Sequence, residues 1–115
     1  MKCAIPVDTN QGENSIVGQH FGKVPYYAIW DSETEKLEII ENMSNHRGGV
    51  GLPMEFLAKI CNVVICKGIG AKAVSLGNQF GLQIFMGATG RVKDTISLFK
   101  EGKLYEATKD DGCQH

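Results

Sequence analysis

The side chains of this chain best suited to chemistry are imidazoles and thiols. Its three histidines all fall in polar stretches: His20 before Phe21-Gly22, His46 within Asn45-His46-Arg47-Gly48-Gly49-Val50-Gly51, and His115 at the end of the sequence. Of the four cysteines, Cys66 closes an apolar run and Cys113 stands just before His115. Cys3 and Cys61 sit in or beside apolar segments and read as small buried hydrophobes. Imidazole nitrogen and thiolate sulfur are the ligands that borderline and soft metals prefer, so His20, Cys66, His46, Cys113 and His115 form a candidate donor set. The spacing is not that of a zinc module, because no Cys-x-x-Cys and no His-x-x-x-His occurs, and any site must be assembled from distant segments. Each residue also has a plainer role: a loop histidine bonds a turn or faces water, a strand-end cysteine fills core, and a terminal segment is left loose.

The junction Gly68-Ile69-Gly70-Ala71-Lys72 leads into a helical pattern, where free backbone N–H groups and the helix dipole favour an anion. It is not a Walker motif, and it lacks the third glycine of the dinucleotide fingerprint, so a tight turn explains the glycines equally well. Hydrolytic chemistry finds little material. No Gly-x-Ser-x-Gly elbow occurs, and only Asp8 stands at a strand end where paired carboxylates would be needed. The residues point to binding rather than catalysis, and the chain is not expected to be an enzyme.

These groups are positioned by a recognisable series of elements. Residues 2–8 read as a strand in which Pro6 marks a break or a non-donating position. The polar stretch 9–19, with Ile16-Val17 as its only apolar anchor, reads as a loop or a small hairpin, and 26–31 and 37–43, rich in aromatic and β-branched residues, as an antiparallel hairpin. Pro53 suits a first helical turn, followed by a stripe of Leu52, Phe56, Leu57 and Ile60. Val63-Val64-Ile65-Cys66 is a run of the buried parallel-strand type, and residues 71–80 have helical spacing at Leu76 and Phe80, with Gly81 as C-cap. Residues 82–86 form a last strand, and Val92, Ile96 and Phe99 mark a helix ending near Gly102. The order β-β-β-α-β-α-β-α predicts one mixed five-stranded sheet with helices on its faces. Ligands in such sheets gather beyond the carboxyl ends of the parallel strands, which collects Asp8, Cys66 to Gly70, and Gly87-Ala88-Thr89-Gly90 on one edge.

The composition agrees. At 115 residues and 12.6 kDa the chain suits one core, and 43% hydrophobic with 22% charged residues excludes a chain too polar to fold. A net charge of −1 gives no general field for nucleic acid. No apolar run approaches a membrane span or a signal peptide, and few cysteines argue against a disulfide scaffold, so a cytoplasmic protein with reduced thiols is expected.

Ala4-Ile5-Pro6-Val7-Asp8, then His20-Phe21-Gly22 with Pro25-Tyr26-Tyr27, then Val64-Ile65-Cys66-Lys67-Gly68-Ile69-Gly70, then Gly87-Ala88-Thr89-Gly90, carry a resemblance to a family. In this ordered combination the chain resembles the dinitrogenase iron-molybdenum cofactor biosynthesis family, the NifX type that also forms the C-terminal part of NifB and the core of NafY. The resemblance runs from Met1 to about Leu104, giving a domain over 1–104 and a polar Cys/His-containing tail over 105–115. It implies a ribonuclease-H-like three-layer α/β fold. It implies a carrier that binds an iron-sulfur or iron-molybdenum type cluster, or a precursor, and hands it between metal-cluster assembly or acceptor proteins. A cluster ligand falls at His20, and the Cys66 position is one where relatives often carry cysteine, although they commonly continue with two glycines where this chain has Lys67. On that reading an anionic cluster sits over Gly22, Gly68, Ile69 and Gly70, balanced by Lys67 or Arg47, with His46, Cys113 and His115 as mobile donors. An incomplete ligand set suits a carrier, because a closed four-ligand site retains its metal. Nitrogen fixation itself is not implied. A monomer without nucleic-acid or membrane partners is expected, and the competing reading is a protein-interaction or regulatory module of the same fold without metal.

Overall fold

The computed structural model describes residues 1–42 and 51–107, with side chains from Met54 onward in the second stretch. The described strands are β1 (Lys2–Val7), β2 (Tyr26–Asp31), β3 (Leu37–Glu41), β4 (Val63–Cys66), β5 (Gln83–Met86) and β6 (Tyr105–Glu106). The helices are α1 (Gly51–Ala58), α2 (Ala71–Gln79) and α3 (Val92–Lys100). All six strands form one sheet in the order β3-β2-β1-β4-β5-β6. β1 is antiparallel to β2 and parallel to β4, β4 is parallel to β5, and β6 closes the edge antiparallel to β5. The predicted mixed sheet is present, with one strand more than its sequence pattern shows. A two-residue edge strand has no periodicity, and β6 is held by its ladder and by the Ala107 N–H donating to the Ile84 carbonyl at 2.7 Å.

Alternation along the strands divides the core in two. Ala4, Tyr27, Ile29, Val64, Cys66, Ile84 and Met86 face α1 and α2, where Met54, Leu57, Ala73 and Val74 cover them. Cys3, Ile5, Val7, Ala28, Trp30, Val63 and Ile65 face α3, with Val92, Ile96 and Phe99 packed on them. Phe99 meets Trp30 and Phe85 edge-on, with ring centroids 6.0 and 5.6 Å apart. This is the expected three-layer arrangement. The helical stripes are narrower than predicted: Phe56 is half-buried, Ile60 and Phe80 are exposed, and the side chain of Leu52 lies outside the described residues. Gly81 and Gly102 take the positive φ of helix-ending caps, 85° and 70°. Among the described residues no helix is long and apolar enough to cross a membrane.

Pro6 determines where the sheet opens. β1 pairs with β4 only at Cys3↔Val63 and Ala4↔Val64. The Pro6 carbonyl and the Asp8 N–H point to that same side, so the N–H missing from Pro6 falls where the β4 ladder would continue. The strand stays paired to β2 through Pro6↔Tyr27. The ladder therefore ends at the carboxyl end of β1, beside the point where the chain reverses its order of strand addition.

Candidate functional site

The opening is lined by three segments. The first begins as a strap. The Asp8 N–H donates to the Ile16 carbonyl at 2.8 Å and the Gly18 N–H to the Pro6 carbonyl at 2.9 Å, so residues 16–18 take the place β4 vacates. On the strap's far side the Val17 N–H donates to Gly90 at 3.0 Å and the Val92 N–H to Ser15 at 3.0 Å, while the Arg91 guanidinium holds the Asn14 carbonyl at 2.6 Å. Ser15 is fully buried and its hydroxyl accepts the Gln11 N–H at 2.8 Å. The strap approaches so closely that a Cβ on Gly18 would lie 2.3 Å from Val24 Cγ1 and 3.1 Å from Asp8 Oδ1. It seals the α3 side of the edge.

His20 follows directly, exposed on a turn closed by the Lys23 N–H donating to the His20 carbonyl at 3.4 Å. The turn is fastened from beneath. Phe21 is buried against Tyr27, ring centroids 5.9 Å apart, and the Tyr27 hydroxyl donates to the Phe21 carbonyl at 3.0 Å. Complete burial pushes the Tyr27 phenol well above its ordinary range, so it remains a donor. The Asn42 amide adds a bond to the Val24 carbonyl at 2.9 Å. Half-exposed Gly22 lies between the buried and exposed halves of the turn.

The second segment is Cys66 to Gly70. Cys66 is buried on the α1/α2 side, its thiol donating to the Phe85 carbonyl at 3.7 Å, and burial pushes the thiol up to about 12. At neutral pH it is a protonated core thiol rather than a ready thiolate ligand. Lys67, Gly68, Ile69 and Gly70 are half-exposed, and Gly70 N-caps α2 without any side-chain cap. Lys67, exposed Lys72 and exposed Lys23 have no ion-pair partner among the described residues. The third segment, Gly87 to Gly90, is closed differently. Thr95 Oγ1 bonds both the N–H and the carbonyl of Thr89 at 3.2 and 3.0 Å, and the Arg91 N–H donates to Asp94 at 3.0 Å. The start of α3 is thus occupied by the chain's own groups, whereas the start of α2 faces outward uncapped.

Phe21 and Val24 of the His20 turn share the α1/α2-side core with Cys66 and Ile69, so the turn and the β4–α2 junction lie on the same face of the sheet, with Gly22, Lys67, Gly68 and Gly70 half-exposed and Cys66 turned inward. His46, Arg47, Cys113 and His115 lie outside the described residues. Among those described, no three His, Cys, Asp or Glu side chains converge as a metal site. What the edge offers is one exposed imidazole on a rigid support, an uncapped helix start and free ammonium groups. That chemistry fits an anion able to accept a nitrogen ligand. Sequence reasoning missed Ser15 and Tyr27 as the supports: Ser15 lies in a polar loop with no signal, and Tyr27 reads only as a strand aromatic.

A mixed-sheet, three-layer α/β domain with an open edge at the carboxyl ends of its parallel strands is the class these features define. The profile of the Dinitrogenase iron-molybdenum cofactor family matches residues 1–102, and the chain belongs to that family. It is 34% identical over 110 residues to the uncharacterised protein MJ0580 of Methanocaldococcus jannaschii, covering 90% of this chain and 89% of that one. A solution structure described under the NifB name, TM1290 of Thermotoga, superposes with a TM-score of 0.75 at 27% identity, covering 91% of each chain. The apo form of the orange protein from Desulfovibrio gigas superposes with a TM-score of 0.83 at 22% identity over 92% of each chain, which shows the shared fold. The family is tied to the iron-molybdenum cofactor.

Proposed function

We propose that this chain transiently binds an iron-sulfur or iron-molybdenum-sulfur cluster, or a precursor of one, at the open carboxyl edge and passes it between assembly and acceptor proteins without catalysing a reaction. The observation that carries this reading is the pairing of an exposed His20, on a turn pinned by Phe21 and Tyr27, with the uncapped start of α2. His20 supplies the coordinating nitrogen. The N–H groups following Gly68 and the ammonium groups of Lys67 and Lys72 offset the negative charge of the cargo. Cys66 joins only after losing a proton and leaving the core, so the cargo is held by few bonds and is released readily. His46, Cys113 and His115 are the further donors of this reading, and Arg47 a further compensating charge. A cytoplasmic setting is part of this proposal.

The test is anaerobic reconstitution with iron, sulfide and molybdate, read by visible absorption and metal analysis. Wild type is expected to show sulfide-to-metal charge transfer and stoichiometric metal, and His20→Ala to lose both while unfolding at the wild-type urea midpoint. Equal uptake by the two proteins removes His20 as a ligand. No uptake by wild type beyond adventitious metal favours the metal-free interaction module.

A further inference from the structure

We infer that the outer edge of β3 pairs with the β3 edge of a second copy of this chain, antiparallel and centred on Ile39, so that two molecules share one continuous sheet. This goes beyond the carrier reading and does not depend on it; from the sequence alone a monomer is expected. β3 ends the sheet, and among the described residues nothing pairs with its outer side. The hairpin determines which backbone groups face out. The Asp31 N–H donates to the Lys36 carbonyl at 3.0 Å and the Asn42 N–H to the Pro25 carbonyl at 2.9 Å, and these bonds bracket the register Trp30↔Leu37 to Tyr26↔Glu41. Bonded pairs alternate along an antiparallel ladder, so residues 36, 38, 40 and 42 turn their groups toward β2. Leu37, Ile39 and Glu41 therefore present an N–H and a carbonyl each to the outside.

No proline, lysine or positive φ interrupts Leu37–Glu41, and Leu37, Ile39 and Ile40 are only half-buried. Beside the strand, Ile40 lines a groove with Ile29, Phe56 and Ile60, the last 38% exposed. Two features make a second copy the occupant. The first is register. With Ile39 opposite Ile39, Leu37 of each copy faces Glu41 of the other and every outward group is used. Sliding one pair toward the turn sets Glu38 on Glu38, and sliding the other way runs Leu37 past the end of β3. The second is charge. Lys36 precedes the strand and Glu41 ends it, both exposed and neither in an ion pair among the described residues. Antiparallel pairing brings Lys36 of each copy to the Glu41 end of the other, whereas parallel pairing would gather like charges. The two Glu38 side chains meet diagonally, about 7–8 Å apart, which weakens the association, and an interface this small is a reversible one. Glu41 lies level with Val7 through Tyr26, so the joined sheet carries its two open carboxyl edges at opposite ends.

The experiment is sedimentation of the full chain from about 10 μM to about 1 mM, in wild type and in charge-swap variants. Wild type is expected to pass from monomer to dimer across that range. Lys36→Glu and Glu41→Lys should each weaken the dimer roughly tenfold, since two symmetry-related pairs turn repulsive, and the double variant should restore it. Glu38→Gln should tighten it roughly threefold. Both swapped positions are exposed, so the urea midpoint should stay at the wild-type value. In a mixed-isotope sample, NMR should show contacts between the Glu38 α-proton of one copy and the Ile40 α-proton of the other, the close non-bonded pair of this register. A chain that stays monomeric at about 1 mM overturns the inference. A dimer indifferent to both single swaps, or one lacking the Glu38 to Ile40 contact, overturns the β3 pairing by placing the interface elsewhere.

Discussion

His20 sits exposed on a turn that Phe21 and Tyr27 fasten to the core, whereas Cys66, at the same edge of the sheet, is buried with its thiol bonded to the Phe85 carbonyl. On the carrier reading proposed above, the first is a donor presented by a turn fastened to the core. The other is a donor that the core keeps protonated, since burial raises its pKa to about 12. The contrast teaches that proximity to the edge does not make a ligand; what matters is the cost of presenting the atom in its binding form. For His20 that cost was met in folding, through the buried Phe21 ring and the Tyr27 hydroxyl. For Cys66 it would be met at each loading event, by losing a proton and a core contact. Under the proposed carrier role, a site with one ready ligand would suit temporary possession of a cargo.

The sharpest way to break the comparison is to remove the turn's anchor. Phe21→Ala deletes a buried ring and should cost about 3–5 kcal/mol in urea unfolding. A loss below about 1 kcal/mol would mean that the ring does not anchor the turn. Tyr27→Phe keeps the packing and removes one donor, leaving the Phe21 carbonyl unsatisfied, so about 1–2 kcal/mol should be lost. Wild-type stability in that variant would show water or another donor serving the carbonyl.

Cys66→Ala sharpens the other side. It removes one buried sulfur, for a cost of about 1 kcal/mol at neutral pH. Its pH dependence follows from the raised pKa. The unfolded chain, with a thiol near 9.0, releases its proton before the folded chain does near 12, so this contribution is complete below pH 9 and is lost as pH rises toward 12. Cys3, at about 11, and Cys61, at about 12, act in the same direction, so wild type should weaken steadily from pH 9 to 11 and Cys66→Ala less steeply. Parallel curves would place the Cys66 thiol in water. Smallest of all, His20→Ala should change stability by no more than about 0.5 kcal/mol while abolishing cargo retention. A large loss of stability would make His20 part of the fold.

Much of this was legible in the residues. β-branched and aromatic alternation marked β2 and β3, the continuous run Val63 to Cys66 marked a buried parallel strand, and the stripe of Val92, Ile96 and Phe99 marked α3. Pro6 announced a non-donating position, and the structure shows which ladder it ends. The strap was legible only in part: a small hairpin over 9–19 with Ile16-Val17 as anchor is one of its two sequence readings, but its bridge to Arg91 is not. Its bridges, Val7↔Val17 and Ile16↔Arg91, join segments by pairs too short to carry a period, and one spans most of the chain. β6 was hidden for the same reason, being two residues within a stretch that reads as polar tail.

The sequence by itself determined the order of the elements from β1 to α3, the edge at which the parallel strands end, and the kinds of atom available there, because periodicity and turn chemistry are local properties. Only the tertiary structure decided which of those atoms face outward. His20 and Cys66 are both candidate ligands until Phe21 and Tyr27 anchor one turn and the α1/α2 core closes over one thiol. Burial depends on what packs from elsewhere in the chain, and no local pattern records it.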